Sequence, residues 1–195
     1  MFDISVQLSK ALATAADLPD KGMPDGAAHR ARSQRCVEAL ARGFQDYFEG
    51  HDPPVRVFWS GNPENRAEFN RKEFQYDIAV CEIGRTPSAT GRVMLSFVTK
   101  AHWLVESEFE HDSRAAIIDM SKLAVGDSEN MLFIGPAVGP KDGYLAMLGH
   151  VAPHCQGQLY LAIVDHPSNW KKHSPNPELY AWVDDEWRLE LPVAP

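Results

Sequence analysis

Two glutamates, Glu106 and Glu108, lie two positions apart in an alternating stretch of the chain. The alternation over residues 102–109 predicts a β-strand, in which side chains two positions apart point to the same face. Two carboxylates on one face repel each other, and burying them without partners costs roughly several kcal/mol. A divalent cation relieves this repulsion, and Mg²⁺ binds one or two carboxylates together with waters and substrate phosphates. The pair therefore predicts a site for Mg²⁺ or Mn²⁺.

Asp77 and Lys122 could supply two further charged groups to this site. Asp77 lies within residues 74–83, which predict another strand. If the two strands are neighbours, Asp77 and Glu106 can share one ion, which would polarise a phosphate and lower the pKa of a bound water. Lys122 lies at the margin of the apolar face of a predicted helix, where its stem can be buried while its ammonium points to the strand. There it could position the attacking water or offset charge on the scissile phosphate.

Each of these residues also has a purely structural interpretation. Glu106 and Glu108 could belong to an exposed strand face with ordinary salt bridges. Asp77 could be an aspartate at a strand edge or in a turn. Lys122 could be a helix-surface lysine paired with Asp119 or Glu106, since ion pairs also arise for structural reasons. The sequence leaves both interpretations open.

The elements that would position these residues follow from hydrophobic periodicity and turn signals. Residues 93–99 are apolar without a clear period, and we favour a helix there. The remaining predicted helices are residues 2–16, 28–48, 113–125 and 144–150. The predicted strands are residues 55–60, 74–83, 102–109, 131–134 and 158–164, followed by a hairpin of 179–183 and 186–191 around Asp184 and Asp185. The predicted turns and loops are residues 18–26, 61–65, 84–91, 135–143 and 167–177.

The length of 195 residues predicts a single domain, residues 1–195. The mixture of elements predicts an α/β fold with a mixed central sheet flanked by helices. From residue 28 to 134 the order is helix, strand, strand, the undecided segment, strand, helix and strand. Residues 1–27 would add an N-terminal helix to this core, and residues 136–195 a C-terminal β extension.

This order, with Asp77 and Glu106 in it, resembles the PD-(D/E)XK nuclease superfamily, which has the restriction-endonuclease-like fold. That family has an αβββαβ core, with an Asp on the second core strand and a Glu-x-Lys on the third, around magnesium. The resemblance covers roughly residues 28–135. It implies that Asp77 and Glu106 ligate the metal and that the chain hydrolyses phosphodiesters.

The chain departs from the family pattern at the lysine. Glu108 occupies that position, and Tyr76 stands where the family has Pro before the Asp. Some divergent members carry the basic residue on the following helix, which Lys122 would match. Some also carry a Glu on the first core helix, which Glu38 or Glu49 could match. Glu38 would then support the site from outside the ligand set, and its structural interpretation is a solvated helix residue.

Histidines offer weaker patterns. His150 and His154 lie four apart, but Pro153 interrupts a helix between them, and no cysteine pair supports a zinc site. His102 and His111 flank the acidic strand, where either could contact a phosphate, lie at the surface or cap a helix. Residues 135–143 lack the Gly-Lys-Ser/Thr of a phosphate loop and predict a plain loop.

Composition limits the class of function. The formal net charge of −8 counts against a protein that coats nucleic acid non-specifically, because neutralising phosphates needs a basic face. It leaves room for an enzyme that binds nucleic acid locally. Three widely spaced cysteines favour a reducing compartment, and the N-terminus lacks the pattern of a signal peptide. No apolar run approaches the roughly 20 residues that span a bilayer. We therefore expect a cytoplasmic protein without membrane association.

These observations predict a magnesium-dependent nuclease or phosphodiesterase with Asp77, Glu106, Glu108 and Lys122 at its site. The alternative is the same fold with a degenerate site, acting as a protein-interaction or regulatory module. The acidic net charge and the missing Glu-x-Lys favour that alternative. The substrate is left open between DNA, RNA and something smaller. The oligomeric state is also left open, and a homodimer is one option, since nuclease-fold domains often pair.

Overall fold

A computed structural model describes residues 2–19, 22–71, 73–171 and 175–190. Within these residues the chain forms five α-helices and one seven-stranded sheet. The helices are α1 (Ile4–Ala16), α2 (Asp25–Tyr47), α3 (Pro63–Phe69), α4 (Ser113–Ala124) and α5 (Lys141–Gly149). The strands are β1 (Val55–Phe58), β2 (Ile78–Pro87), β3 (Met94–Ser107), β4 (Asp127–Pro136), β5 (Gln156–Val164), β6 (Glu178–Val183) and β7 (Glu186–Glu190).

The sheet is mixed, and its strands lie side by side in the order of the sequence. β2 runs antiparallel to its neighbours β1 and β3. β3, β4 and β5 run parallel to one another, and β6 runs antiparallel to its neighbours β5 and β7. Parallel neighbours need a crossover, which α4 supplies between β3 and β4 and α5 between β4 and β5. The prediction of an α/β fold with a mixed central sheet is confirmed, and β5 to β7 extend the same sheet.

Two hydrophobic cores lie on opposite faces of the sheet. The core under α1 and α2 contains Trp103 and Val105 of β3. The core under α4 and α5 contains Leu104 of β3. The predicted alternation of this strand is therefore confirmed, and it turns Glu106 towards α4. In the described part of the chain, no helix is both long and apolar enough to cross a bilayer.

The prediction of a helix at residues 93–99 is wrong. β3 begins at Met94 and pairs with β2 as far as Pro87, so that Phe97 lies opposite Gly84. Residues 84–87, predicted as loop, are therefore strand, and β2 begins at Ile78 rather than at residue 74. An apolar run without alternation does not distinguish helix from strand, and here pairing with β2 decides.

The prediction of a turn at residues 61–65 missed α3. The side chain of Asn62 accepts a hydrogen bond from the backbone N–H of Glu64, and Pro63 occupies the first helical position. Asn and Pro are typical of turns, but in this order they also form the start of a helix.

The other predicted elements are confirmed with shifted ends. β4 begins at Asp127 and α5 at Lys141, so the loop at residues 135–143 is shorter than predicted. The β6–β7 hairpin turns at Asp184 and Asp185, which both have positive φ, a conformation that aspartate tolerates. Leu191, at the end of the predicted hairpin, lies outside the described residues, as do parts of the predicted loops at 18–26 and 167–177.

Candidate functional site

Asp77 lies immediately before β2 and is attached to the end of β3. Ile78 pairs with Val105, so β2 and β3 are neighbours, which is the condition for Asp77 and Glu106 to share one ion. The Ser107 backbone N–H and hydroxyl both donate to Asp77 Oδ2, at 3.0 and 2.5 Å. Burial raises the pKa of Asp77, although the Ser107 bonds oppose this shift. Asp77 is thus held beside the residue that follows Glu106.

Glu106 is the most deeply buried carboxylate of the candidate site, with 1% of its surface exposed. Its Oε2 accepts a hydrogen bond from Lys122 Nζ at 3.0 Å. Its Oε1 has no hydrogen-bond partner among the described residues. Burial, and then the negative charge of Asp77, raises the pKa of Glu106 to about 8. Its surroundings therefore favour the neutral form of this carboxyl group, and a further cation would favour the ionised form.

α4 presents Lys122 to Glu106. The Asp112 side chain caps the helix by accepting from the Arg114 N–H at 2.8 Å. A buried stripe of Ala116, Met120 and Leu123 fixes the face that α4 turns to the sheet. Lys122 lies on the flank of that stripe with its side chain 39% exposed, so its ammonium can reach the end of β3.

Asp119 also belongs to the cluster, although the sequence indicated it only as a structural partner of Lys122. Its Oδ1 lies 2.8 Å from Lys122 Nζ. Burial opposes the charge on Lys122, but the hydrogen bonds to Asp119 and Glu106 raise its pKa above the ordinary value. The three-residue spacing of Asp119 and Lys122 was the available signal, because residues three apart on a helix are neighbours.

Glu108 follows the end of β3 and faces the same group of charges. Its Oε1 accepts from the Glu110 backbone N–H at 2.7 Å. Burial raises the pKa of Glu108, and the charge of Asp119 adds to that effect. The charge of Asp119 therefore raises the pKa of both Glu106 and Glu108.

The cluster contains more negative than positive groups. Asp77, Glu106, Glu108 and Asp119 contribute four carboxylates, and Lys122 contributes one ammonium. Burial is the main cause of the raised pKa values of the first three residues, and Lys122 only partly offsets it at Asp77 and Glu106. A divalent cation bound by oxygen ligands would supply the missing positive charge.

A cleft of about 950 Å³ opens between α2 and the ends of β1, β2 and β3. Asp77, Ser107 and Glu108 line it, whereas Glu106 and Lys122 are not among its lining residues. The predicted residues are therefore arranged in two parts. Asp77 and Glu108 face the cleft, and the Glu106–Lys122 pair lies on the α4 side of the same strand end.

Glu38 lines the same cleft from α2. Its carboxylate is paired with Arg35 at 3.2 Å and with Arg42 at 2.8 Å. The Arg42 hydrogen bond is the main cause of the lowered pKa of Glu38. The structure thus places Glu38 at the cleft with its charge already compensated, and Glu49 lines a different depression.

The donor atoms of the cluster suit a hard cation, but they do not form a closed cage. Among residues 2–19, 22–71, 73–171 and 175–190, no group of three or more His, Cys, Asp or Glu side chains is arranged to hold a metal ion. Mg²⁺ needs only one or two carboxylates, because waters and substrate phosphates complete its octahedron. The unpartnered Oε1 of Glu106 fits such an open site.

Comparison with known proteins gives no further guidance to the site. No family model, curated protein or solved structure matches this chain.

Proposed function

We propose that this chain is a metal-dependent phosphodiester hydrolase, a nuclease or phosphodiesterase of the PD-(D/E)XK type. The observation that carries the proposal is the meeting of Asp77, Glu106 and Lys122 at one strand end. They come from the start of β2, the end of β3 and the helix that follows. The element order from α2 to β4 supports it, since it is αβββαβ with α3 inserted after the first strand.

Asp77 and Glu106 are the residues that would hold Mg²⁺ or Mn²⁺ in this proposal. When bound, the ion would polarise the scissile phosphate and lower the pKa of a water. Ser107 orients the Asp77 carboxylate through two hydrogen bonds. Asp119 holds the Lys122 ammonium beside Glu106, where it can offset charge that develops on the phosphate.

Glu108 is suited to take a proton from the attacking water. It lines the cleft next to Asp77. Its raised pKa brings it closer to neutrality, where a general base works best. Glu38 would act only on the cleft wall, because Arg35 and Arg42 already occupy its carboxylate.

A cleavage assay tests the proposal. The purified chain is incubated with single-stranded DNA, double-stranded DNA, RNA and a small phosphodiester, with and without Mn²⁺ or Mg²⁺. Asp77→Asn should reduce metal-dependent cleavage by about 10³-fold or more, because it removes a metal-ligating charge. Asp142→Asn, an exposed aspartate on α5, is the matched control. Equal cleavage by the Asp77→Asn variant and the wild type would overturn the assignment.

The second candidate is a degenerate site in an interaction or regulatory module. Two observations favour it: the described residues contain no closed set of ligands, and Lys122 already partly neutralises Glu106. Titration with Mn²⁺ discriminates the two functions. Saturable binding that is lost in Asp77→Ala and Glu106→Ala supports the hydrolase. Absence of binding at millimolar Mn²⁺ supports the module.

A further inference from the structure

Three histidines meet at one end of the cleft. The proposed hydrolysis does not use this end, because its carboxylates lie elsewhere. They come from three elements: His29 from α2, His111 from the β3–α4 connection and His166 from the segment after β5. The ring centroids of His29 and His166 are 5.1 Å apart, and those of His111 and His166 are 5.3 Å apart. His29 and His166 line the cleft, together with the exposed Arg30.

The hydrogen bonds of His166 determine which donor it can offer. The backbone N–H of Ser168 donates to its Nδ1 at 3.2 Å, and the Ser168 hydroxyl lies 2.9 Å from the same atom. Since Nδ1 accepts, the neutral ring carries its proton on Nε2, which is left as a donor. Burial, and then His29 and His111, lowers the pKa of His166, and a bound anion would relieve this repulsion.

The three clustered histidines differ from His102 in their partners. His102 is paired with two carboxylates, Glu82 at 3.1 Å and Glu129 at 2.6 Å. In the part of the chain that the structure describes, no carboxylate forms an ion pair with any histidine of the cluster. Glu110, which also lines the cleft, acts on His166 only through its charge. The imidazole donors are therefore available for a ligand.

The start of α2 adds to the positive character of this end. The helix begins at Asp25 without a side-chain cap, and Gly26 of its first turn lines the cleft. A helix N-terminus carries a partial positive charge, although the Asp25 carboxylate reduces it here. His29 and Arg30 follow in the next turn and extend the row of donors along the cleft wall.

We propose that His29, His166 and Arg30 form a phosphate-binding subsite. It would hold a phosphate group of the substrate next to the one that reacts at the carboxylates. This assignment of the phosphate to a substrate rests on the proposed function. A chain with a net charge of −8 and carboxylates in the same cleft would repel a phosphodiester, so a local group of N–H donors is needed to retain it. The cleft volume of about 950 Å³ is within the range of ligand pockets.

Phosphate titration in EDTA at pH 6 tests the subsite without any metal. The probe is inorganic phosphate, followed by imidazole NMR signals. The wild type should bind it saturably. The double variant His29→Ala/His166→Ala should weaken binding by at least about tenfold, because it removes two charge-assisted donors. Arg30→Gln should weaken it as well, and this change at an exposed residue leaves the packing intact. The matched control is His150→Ala/His154→Ala, two exposed histidines outside the cleft.

Competition with short oligonucleotides identifies the source of the phosphate. Equal competition with and without a 5′-phosphate assigns the subsite to the backbone, and competition only by the phosphorylated form assigns it to a terminal phosphate. Either result supports the proposal. It is overturned if the wild type does not bind phosphate, or if the double variant and Arg30→Gln bind as tightly as the wild type.

The two proposals can fail separately. If Asp77→Asn abolishes cleavage while the double histidine variant retains both phosphate affinity and KM, the subsite is wrong and the hydrolase stands. If phosphate binding depends on the histidines but no metal supports cleavage, the subsite stands and the hydrolase is wrong.

Discussion

Replacing the buried carboxylate of Glu106 by an amide should stabilise the metal-free protein at alkaline pH. Glu106→Gln keeps the shape of the side chain and can still accept the hydrogen bond from Lys122. It removes a charge whose ionisation is disfavoured, first by burial and then by the charge of Asp77. The same substitution removes a proposed metal ligand, so stability and activity should change in opposite directions.

The size of the effect follows from the pKa of Glu106, which rises from 4.5 to about 8 on folding. At about 1.4 kcal/mol for each pKa unit, the full shift corresponds to about 5 kcal/mol. Water and side chains rearrange around the ionised group, so we expect about 2 to 3 kcal/mol. The folded state binds more protons than the unfolded state in this range. The contribution of Glu106 to the unfolding free energy is therefore fully present below pH 4.5. It is lost as the pH rises through about 8.

Urea denaturation in EDTA, at a series of pH values from about 5 to about 8.5, measures this difference. The two proteins should have similar unfolding free energies near pH 5, and Glu106→Gln should be more stable at the alkaline end. At pH 8, about 10 mM Mg²⁺ should stabilise the wild type by about 1.4 kcal/mol if its Kd is about 1 mM, and should leave the variant unchanged. Glu73→Gln, at an exposed glutamate, is the control.

A stability difference between Glu106→Gln and the wild type that does not change with pH would refute this reasoning. It would mean that Glu106 ionises in the folded protein as easily as in the unfolded chain. The group would then be compensated by Lys122 alone, and the argument for a missing cation would be lost.

Three further substitutions test the cluster and the fold. Lys122→Met should lower the unfolding free energy by about 1 to 2 kcal/mol at pH 8 and less at pH 5, because it leaves Glu106 without a cation. An equal loss at both pH values would contradict this. Gly157→Ala should cost about 2 kcal/mol or more, because φ is +125° and a Cβ would lie 2.1 Å from the Ser128 backbone oxygen. Gly143→Ala, inside α5 with only Pro140 Cγ near its Cβ, at 3.5 Å, should instead stabilise by about 0.5 to 1 kcal/mol. Urea denaturation measures all three, and a destabilised Gly143→Ala variant or an unaffected Gly157→Ala variant would contradict the described backbone.

Local sequence patterns predicted which face of β3 carries Glu106, but not which other elements meet that face. Alternation placed Glu106 and Leu104 on one face of β3, and the structure confirms that face. Asp77 lies next to β3 because β2 pairs with β3. This pairing was an assumption at the level of the sequence. The sequence left open whether Asp119 or Glu106 pairs with Lys122, because this depends on how α4 is rotated against the strand end, and the structure pairs Lys122 with both.

The meeting of the three histidines could not be predicted from the sequence. His29, His111 and His166 are separated by 82 and 55 positions along the chain, and no local spacing connects them. His111 drew attention only because it follows the acidic strand. The three rings meet because α2, the β3–α4 connection and the end of β5 reach the same edge of the sheet.

The sequence by itself determined where α1, α2 and α4 form and which face of β3 each side chain takes, since both follow from the period of the apolar residues. Tertiary structure alone decided that residues 94–99 form a strand, because their apolar run fits either element until β2 pairs with it. It also decided which charges share one environment. Burial and mutual repulsion act over distances in space, so the raised pKa of Glu106 and the meeting of the histidines depend on the packed chain rather than on neighbours in sequence.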